Sequence, residues 1–250
     1  KELREKGILV SVTPNGVRKP VAIAGLTYIL ALSQKMFQRD AIVRSGRWHE
    51  RMDNVGIGLN NRTIGLIGLG NIGRAVARKA QALGISVVAY DPFVAPWLAR
   101  EYRVELVSSL NELAGRSDFV SMHTPLNNQT RKIVGESFFN SMKETAYFIN
   151  TCRGGTVDEK ALINALNSQK ISGAGIDVFE IEPTATDNPL FYMDNVIVTP
   201  HSAGTSNRAK VAAQIQVGQE AARLLNGTWP MSLVNPEVRS QIEVRPLATS

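Results

Sequence analysis

The chain has a single cysteine, Cys152, among its 250 residues. One thiol cannot close an internal disulfide or build a cysteine-based zinc cluster, so covalent staples are excluded and a reducing compartment, the cytoplasm, is expected. Long apolar runs are absent too: no stretch approaches the ~18 unbroken apolar residues of a membrane helix. No basic start leads into an apolar run, so no secretory leader is read here and no membrane partner is expected. The 28 Lys and Arg residues exceed the 22 Asp and Glu residues, a net charge of +6, yet they form no block. A nucleic-acid partner is therefore not expected, and the excess favours small anionic ligands. No His/Cys/acid group has metal-ligand spacing, so no metal is expected. A Gly-x-Ser-x-Gly elbow is also missing, which excludes an ordinary serine hydrolase.

What is present belongs to a folded, soluble protein: 44% of residues are apolar and 20% charged. The chain opens on Lys1 and reads as mid-domain. Residues 8–12 predict a strand and Thr13-Pro14-Asn15-Gly16 a turn, with nothing earlier to pair with that strand, so an upstream segment is expected. Val21, Ile23, Leu26, Ile29, Leu30, Leu32 and Phe37 then recur at helical spacing, with Pro20 suited to a first turn. This stripe predicts a helix with one face buried against another element or another subunit. Gly46-Arg47-Trp48 ends it, and Trp48 is expected to pack near the helix end.

A regular alternation follows. Strands are predicted at 63–67, 86–90, 104–106, 119–123, 147–151, 173–178 and 196–199. Helices are predicted between them at 72–83, 97–102, 110–116, 136–142 and 158–168, and a long one at 207–225. Strand–helix alternation with near-continuous apolar strands predicts an α/β fold, a doubly wound parallel sheet covered on both faces. Ligands of such sheets bind beyond the carboxyl ends of the strands. His123, Thr151, Asp177 and His201 all fall at or just past those ends.

Gly68-Leu69-Gly70-Asn71-Ile72-Gly73 sits between an apolar strand and an amphipathic helix. In that setting Gly68 permits a tight turn, Gly70 lets the main chain approach a pyrophosphate, and Gly73 lets helix and strand pack closely. The amides of Asn71 and Ile72 would meet phosphates at the positive helix end. Asp91 closes the next strand, where a carboxylate accepts from a ribose and repels a 2′-phosphate; with no Arg or Lys directly after it, NAD is expected over NADP.

The segments from Gly65 to Gly73, His123 to Leu126, Asn150 to Gly155, Gly175 to Pro183 and Thr199 to Gly204 together resemble the D-isomer-specific 2-hydroxyacid dehydrogenases. The likeness runs from about residue 7 to 238. It implies a Rossmann-type NAD-binding domain over 18–204. Residues 1–17 would then end the first part of a smaller flavodoxin-like substrate domain, and 205–250 would return to it. It implies Arg153 on the carboxylate and carbonyl of a 2-oxo or 2-hydroxy acid, His201 as acid and base, and Glu182 as its partner. A guanidinium offers a planar fork for a carboxylate, and an imidazole can give a proton and take it back near neutral pH.

For NAD, the resemblance adds Thr124 and Pro125 beside the adenosine half and main-chain groups around Thr151, Cys152 and Arg153. It also places Asp177 at the carboxamide and His201 to Gly204 along the nicotinamide. It implies a homodimer through the nucleotide domain. One departure is Val21-Ala22-Ile23, where the family often has Val-Ala-Glu. Plainer readings compete: Arg153 as a surface arginine, Glu180 in place of Glu182, His201 as a helix cap, His123 and Cys152 as structural residues. Two other functions compete as well, an NAD-sensing corepressor-like binding protein and an inactive truncated dehydrogenase.

Overall fold

The computed structural model describes residues 2–13 and 16–246. Pro14 and Asn15, the centre of the expected turn, lie outside the described residues. By compactness the chain divides into one unit of residues 21–203 and another of residues 1–20 with 204–250.

The larger unit is built on a seven-stranded, all-parallel sheet. Its strands are β1 (Thr63–Ile67), β2 (Ser86–Tyr90), β3 (Glu105–Leu106), β4 (Phe119–Met122), β5 (Tyr147–Asn150), β6 (Gly173–Ile176) and β7 (Val196–Val198). They lie in the order β3-β2-β1-β4-β5-β6-β7. The order reverses between β1 and β4, so the crevice expected to take a ligand opens there.

Two apolar layers cover the sheet. On one face Ile29, Ile64, Leu66, Val76, Val87 and Phe119 are buried together. On the other, Phe138, Phe139, Phe148, Leu162 and Ile176 form a second cluster. Each such large side chain contributes about 1.5–3 kcal/mol when fully buried. The helices are α1 (Glu2–Glu5), α2 (Arg18–Ser33), α3 (Met36–Arg44), α4 (Asn71–Ala82), α5 (Pro96–Glu101), α6 (Leu110–Arg116), α7 (Glu136–Ser141), α8 (Glu159–Asn167) and α9 (Asn207–Leu225). Local caps start several of them: Ser109 accepts from the Glu112 amide, Asp158 from Ala161 and Ser206 from Ala209.

Three expectations change. The stripe over 21–37 is not one helix: α2 stops at Ser33 and α3 begins at Met36, with Lys35 in a left-handed conformation (φ 46°). The Ser33 carbonyl accepts from the Ile57 amide, at 2.6 Å, so the chain of residues 56–57 closes on the helix end. Trp48 does not pack at a helix end. It lies in a 3-10 turn, Trp48–Met52, and is 62% exposed, because Gly46 (φ 72°) turns the chain away from α3. Residues 8–12 form no strand. Ser11 makes one antiparallel bridge to Leu233, and Asn235 holds this stretch instead, accepting from the Val10 amide and donating to the Ile8 carbonyl. Their partner segment is a turn, too short for a ladder.

Among the described residues no single helix is long and apolar enough to cross a membrane, and no group of His, Cys, Asp and Glu could hold a metal ion.

Candidate active site

Because every strand runs the same way, all the carboxyl ends lie on one edge, and the segments after β1, β2, β4, β5, β6 and β7 meet there. The glycine turn follows β1. Gly68 has φ 98°, and a Cβ on it would lie 2.7 Å from the His123 carbonyl. A Cβ on Gly73 would overlap the Gly68 carbonyl, so this glycine lets α4 start hard against the turn. Gly70 differs: a Cβ there meets nothing within 4 Å. It caps α4 with no side-chain bond, unlike Ser109, Asp158 and Ser206 at their helices, and leaves the first amides of Asn71 and Ile72 open to an anion.

Asp91 holds this turn from β2. Its Oδ2 accepts from the Leu69 amide at 2.8 Å and its Oδ1 from Phe93 at 3.0 Å. Arg74, which the sequence did not single out, braces the turn from the other side by donating to the Leu69 carbonyl and to Asn71 Oδ1. Its place one helical turn after Asn71 was the available signal.

After β4 and β5 two buried hydroxyls, Thr124 Oγ1 and Thr151 Oγ1, have no hydrogen-bond partner among the described residues. An unmet buried hydroxyl costs about 1–3 kcal/mol, and both lie on the ligand edge. With the open helix end and the empty space at Gly70, they fit a dinucleotide. Pro125 is exposed beside Thr124. His123 is bonded through Nε2 to Ser121 Oγ at 3.0 Å, and burial pushes it down to about 4, so it stays neutral and structural. Burial likewise pushes the Cys152 thiol up, and its sulfur rests on Asn150 Oδ1, which leaves it a poor nucleophile.

Asn150 turns the chain at the end of β5. Its side chain accepts from the Cys152 amide and donates to the Arg153 carbonyl, which also accepts from Thr156 Oγ1. The next residue, Gly154, packs so closely that a Cβ would overlap the Phe179 carbonyl. This contact brings the Arg153 turn against the loop that carries Glu182. Arg153 is exposed; Nη1 donates to the Cys152 carbonyl at 2.6 Å. Among the described residues its other donors meet no acceptor in the protein.

Glu182 and His201 form a pair, with Oε2 2.7 Å from Nδ1. Glu182 Oε1 also accepts from the Phe179 amide at 3.0 Å. Burial pushes this carboxyl up, but the His201 bond, the Phe179 amide and the His201 and Arg153 charges outweigh it and hold it below the usual carboxylate range. Glu180, the rival acid, is taken by Lys132 at 2.8 Å. A cleft of about 650 Å³ opens beside the pair, with Phe179, Phe191, Val198 and Pro200 among its walls.

Asp177 is almost fully buried, and its carboxylate is committed to the loop after β7. Oδ1 accepts from the Ser202 amide and from Thr199 Oγ1, and Oδ2 accepts from Ala203. Its carbonyl takes the His201 amide at 2.8 Å. Gly204 is the first residue after the larger unit.

Comparison with known proteins agrees on one family. A family model described as D-isomer specific 2-hydroxyacid dehydrogenase, NAD binding domain, matches residues 26–203. The chain is 40% identical over 231 residues to a D-3-phosphoglycerate dehydrogenase of Methanocaldococcus jannaschii, covering 92% of this chain and 44% of that protein. It is 37% identical over 249 residues to a glyoxylate reductase of Korarchaeum cryptofilum, covering 98% of this chain and 74% of that one. Among solved structures, D-lactate dehydrogenase with NAD+ from Lactobacillus jensenii superposes with a TM-score of 0.83 at 30% identity, over 93% of this chain and 73% of that one. The chain thus spans less than half of the phosphoglycerate dehydrogenase and about three quarters of the glyoxylate reductase.

Proposed function

The chain belongs to the D-isomer-specific 2-hydroxyacid dehydrogenase family, and from that premise we propose that it interconverts a D-2-hydroxy acid and its 2-oxo acid with NAD. The observation that carries this reading is the Glu182–His201 pair with the Arg153 guanidinium in electrostatic reach of it. Arg153 binds the substrate carboxylate and polarises its carbonyl oxygen. His201 has Nδ1 committed to Glu182, so Nε2 gives the proton that turns the carbonyl oxygen into a hydroxyl, and recovers it in the reverse direction. Glu182 fixes the ring and balances its charge. The chemistry NADH supplies when bound is a hydride for the carbonyl carbon. The amides of Asn71 and Ile72, Asp91, the Thr124 and Thr151 hydroxyls and the segment around Cys152 would hold it, with Asp177 shaping the loop at its nicotinamide end. NADH oxidation with a panel of 2-oxo acids tests the proposal; no turnover with any of them would count against it.

Asp91 supports NADH as the form used. The expected preference over NADPH is about tenfold or more, about 1.4 kcal/mol, and Asp91→Ala is expected to narrow it. A fluorescence titration giving equal affinities would refute this.

We further assign residues 1–17 and 205–250 to a substrate domain, a reading supported by the compact unit those segments belong to. The protein is proposed to work in the cytoplasm as a homodimer. Exposed apolar side chains on α2, α3 and the turn after them, Ile23, Met36, Phe37, Val43, Trp48 and Met52, support the dimer. Light scattering of the intact protein at micromolar concentration is expected to give twice the chain mass; a monomer would exclude this contact.

A further inference from the structure

The His201 backbone is in the left-handed region, with φ 51°. A residue with a Cβ stays there only when its surroundings enforce it. The enforcing contacts run through Asp177. Its carbonyl takes the His201 amide, and its carboxylate takes the amides of Ser202 and Ala203 and the Thr199 hydroxyl. A carboxylate has no proton to give, so Thr199 must donate to Asp177 and its oxygen is left to accept. The group that meets it is the Tyr28 hydroxyl on α2, 2.5 Å away. Burial pushes this phenol up to about 12, so it keeps the proton it donates. Every donor direction is therefore fixed: Tyr28 donates to Thr199, Thr199 donates to Asp177, and the amides of the histidine loop donate to Asp177 from the other side.

Sequence and packing agree on this placement. Tyr28 is buried, and its ring lies across the β6 backbone at Gly175, where a Cβ would come within 2.6 Å of ring atom Cδ1. The slot is made by the glycine and filled by the ring. The hydroxyl adds nothing to that packing; its recorded partner is Thr199.

We propose that Tyr28 is a positioning residue: through Thr199 and Asp177 it holds residues 199–203, and with them the His201 imidazole, in place against Glu182. The catalytic half of this proposal rests on the reading of His201 as the acid; the structural half does not. Amide hydrogen exchange at Ser202 and Ala203, measured by NMR on the intact protein without cofactor, tests the structural half. Tyr28→Phe keeps the ring in its slot and removes only the hydroxyl. It is expected to speed exchange at both amides by about fivefold, the scale of one net hydrogen bond. It is also expected to lower kcat by about the same factor, with KM for the 2-oxo acid and Kd for NADH within about twofold.

Thr199→Val is expected to do more, and Tyr28→Phe added to it is expected to do nothing further, because residues acting in one line are not additive. Thr199→Ser keeps the hydroxyl and is expected to restore exchange and kcat nearly to the starting values. Unchanged exchange in Tyr28→Phe, faster exchange with unchanged kcat, or effects that multiply in the double variant would each overturn the proposal. If the unaltered protein reduces none of the acids offered, the assignment of His201 fails, and the exchange data still decide whether Tyr28 holds the loop.

Discussion

Replacing His201 with alanine is expected to lower reduction of a 2-oxo acid by about 100-fold or more while NADH affinity stays within about twofold, the usual scale for a lost general acid. The imidazole is held by Glu182 at 2.7 Å, and that carboxylate by the Phe179 amide, so the variant removes the group that the pair holds in place. Stopped-flow reduction with one accepted 2-oxo acid and a separate NADH titration would distinguish the two effects. Near-normal turnover would mean that the histidine only shapes its loop.

Glu182→Gln is expected to be milder, about tenfold, because an amide can still orient the ring but carries no charge. Its pH dependence has a definite sign. The Glu182 carboxyl is depressed in the folded protein, so it keeps its charge through the ordinary carboxylate range and loses it only as pH falls below that range. The contribution that the Glu182 charge makes to activity is therefore expected to be lost only in acid, below the ordinary carboxylate range. In Glu182→Gln that acid limb should be missing. A pH–rate profile with the same acid limb in both proteins would show that Glu182 does not act through its charge.

The second large effect is expected at Arg153. Arg153→Lys should lower kcat/KM for the 2-oxo acid by about 100-fold, since an ammonium cannot grip carboxylate and carbonyl oxygen with one planar fork. The protein itself occupies one recorded donor, at the Cys152 carbonyl, and the turn that presents the side chain is fixed by Asn150, Thr156 and the close approach of Gly154 to Phe179. The fold should therefore survive the exchange, and thermal unfolding should be nearly unchanged. Steady-state kinetics checks the prediction; a lysine variant with normal kcat/KM would reduce Arg153 to a surface charge.

The sequence alone determined whatever depends on near neighbours. Strand β1 and helix α6 were legible at their full extents, because an apolar run between turn residues and a short periodic segment are local signals. The glycine turn was legible for the same reason, as was the order of Arg153, Glu182 and His201 along the chain. Contacts made across long sequence distances were left to the tertiary structure. The α2–α3 break depends on the chain at 56–57 closing on Ser33, and apolar spacing runs straight through it. Which acid meets His201 was likewise not legible: Lys132, about 50 residues earlier, pairs with Glu180, and Glu182 pairs with His201. Tyr28 carried no signal at all. It lies 171 residues from Thr199, and its hydroxyl acquires a role only once the parallel sheet lays β6 and β7 beside α2. Periodicity and caps act over a few residues, whereas the His201 loop is held by whatever the fold brings against it.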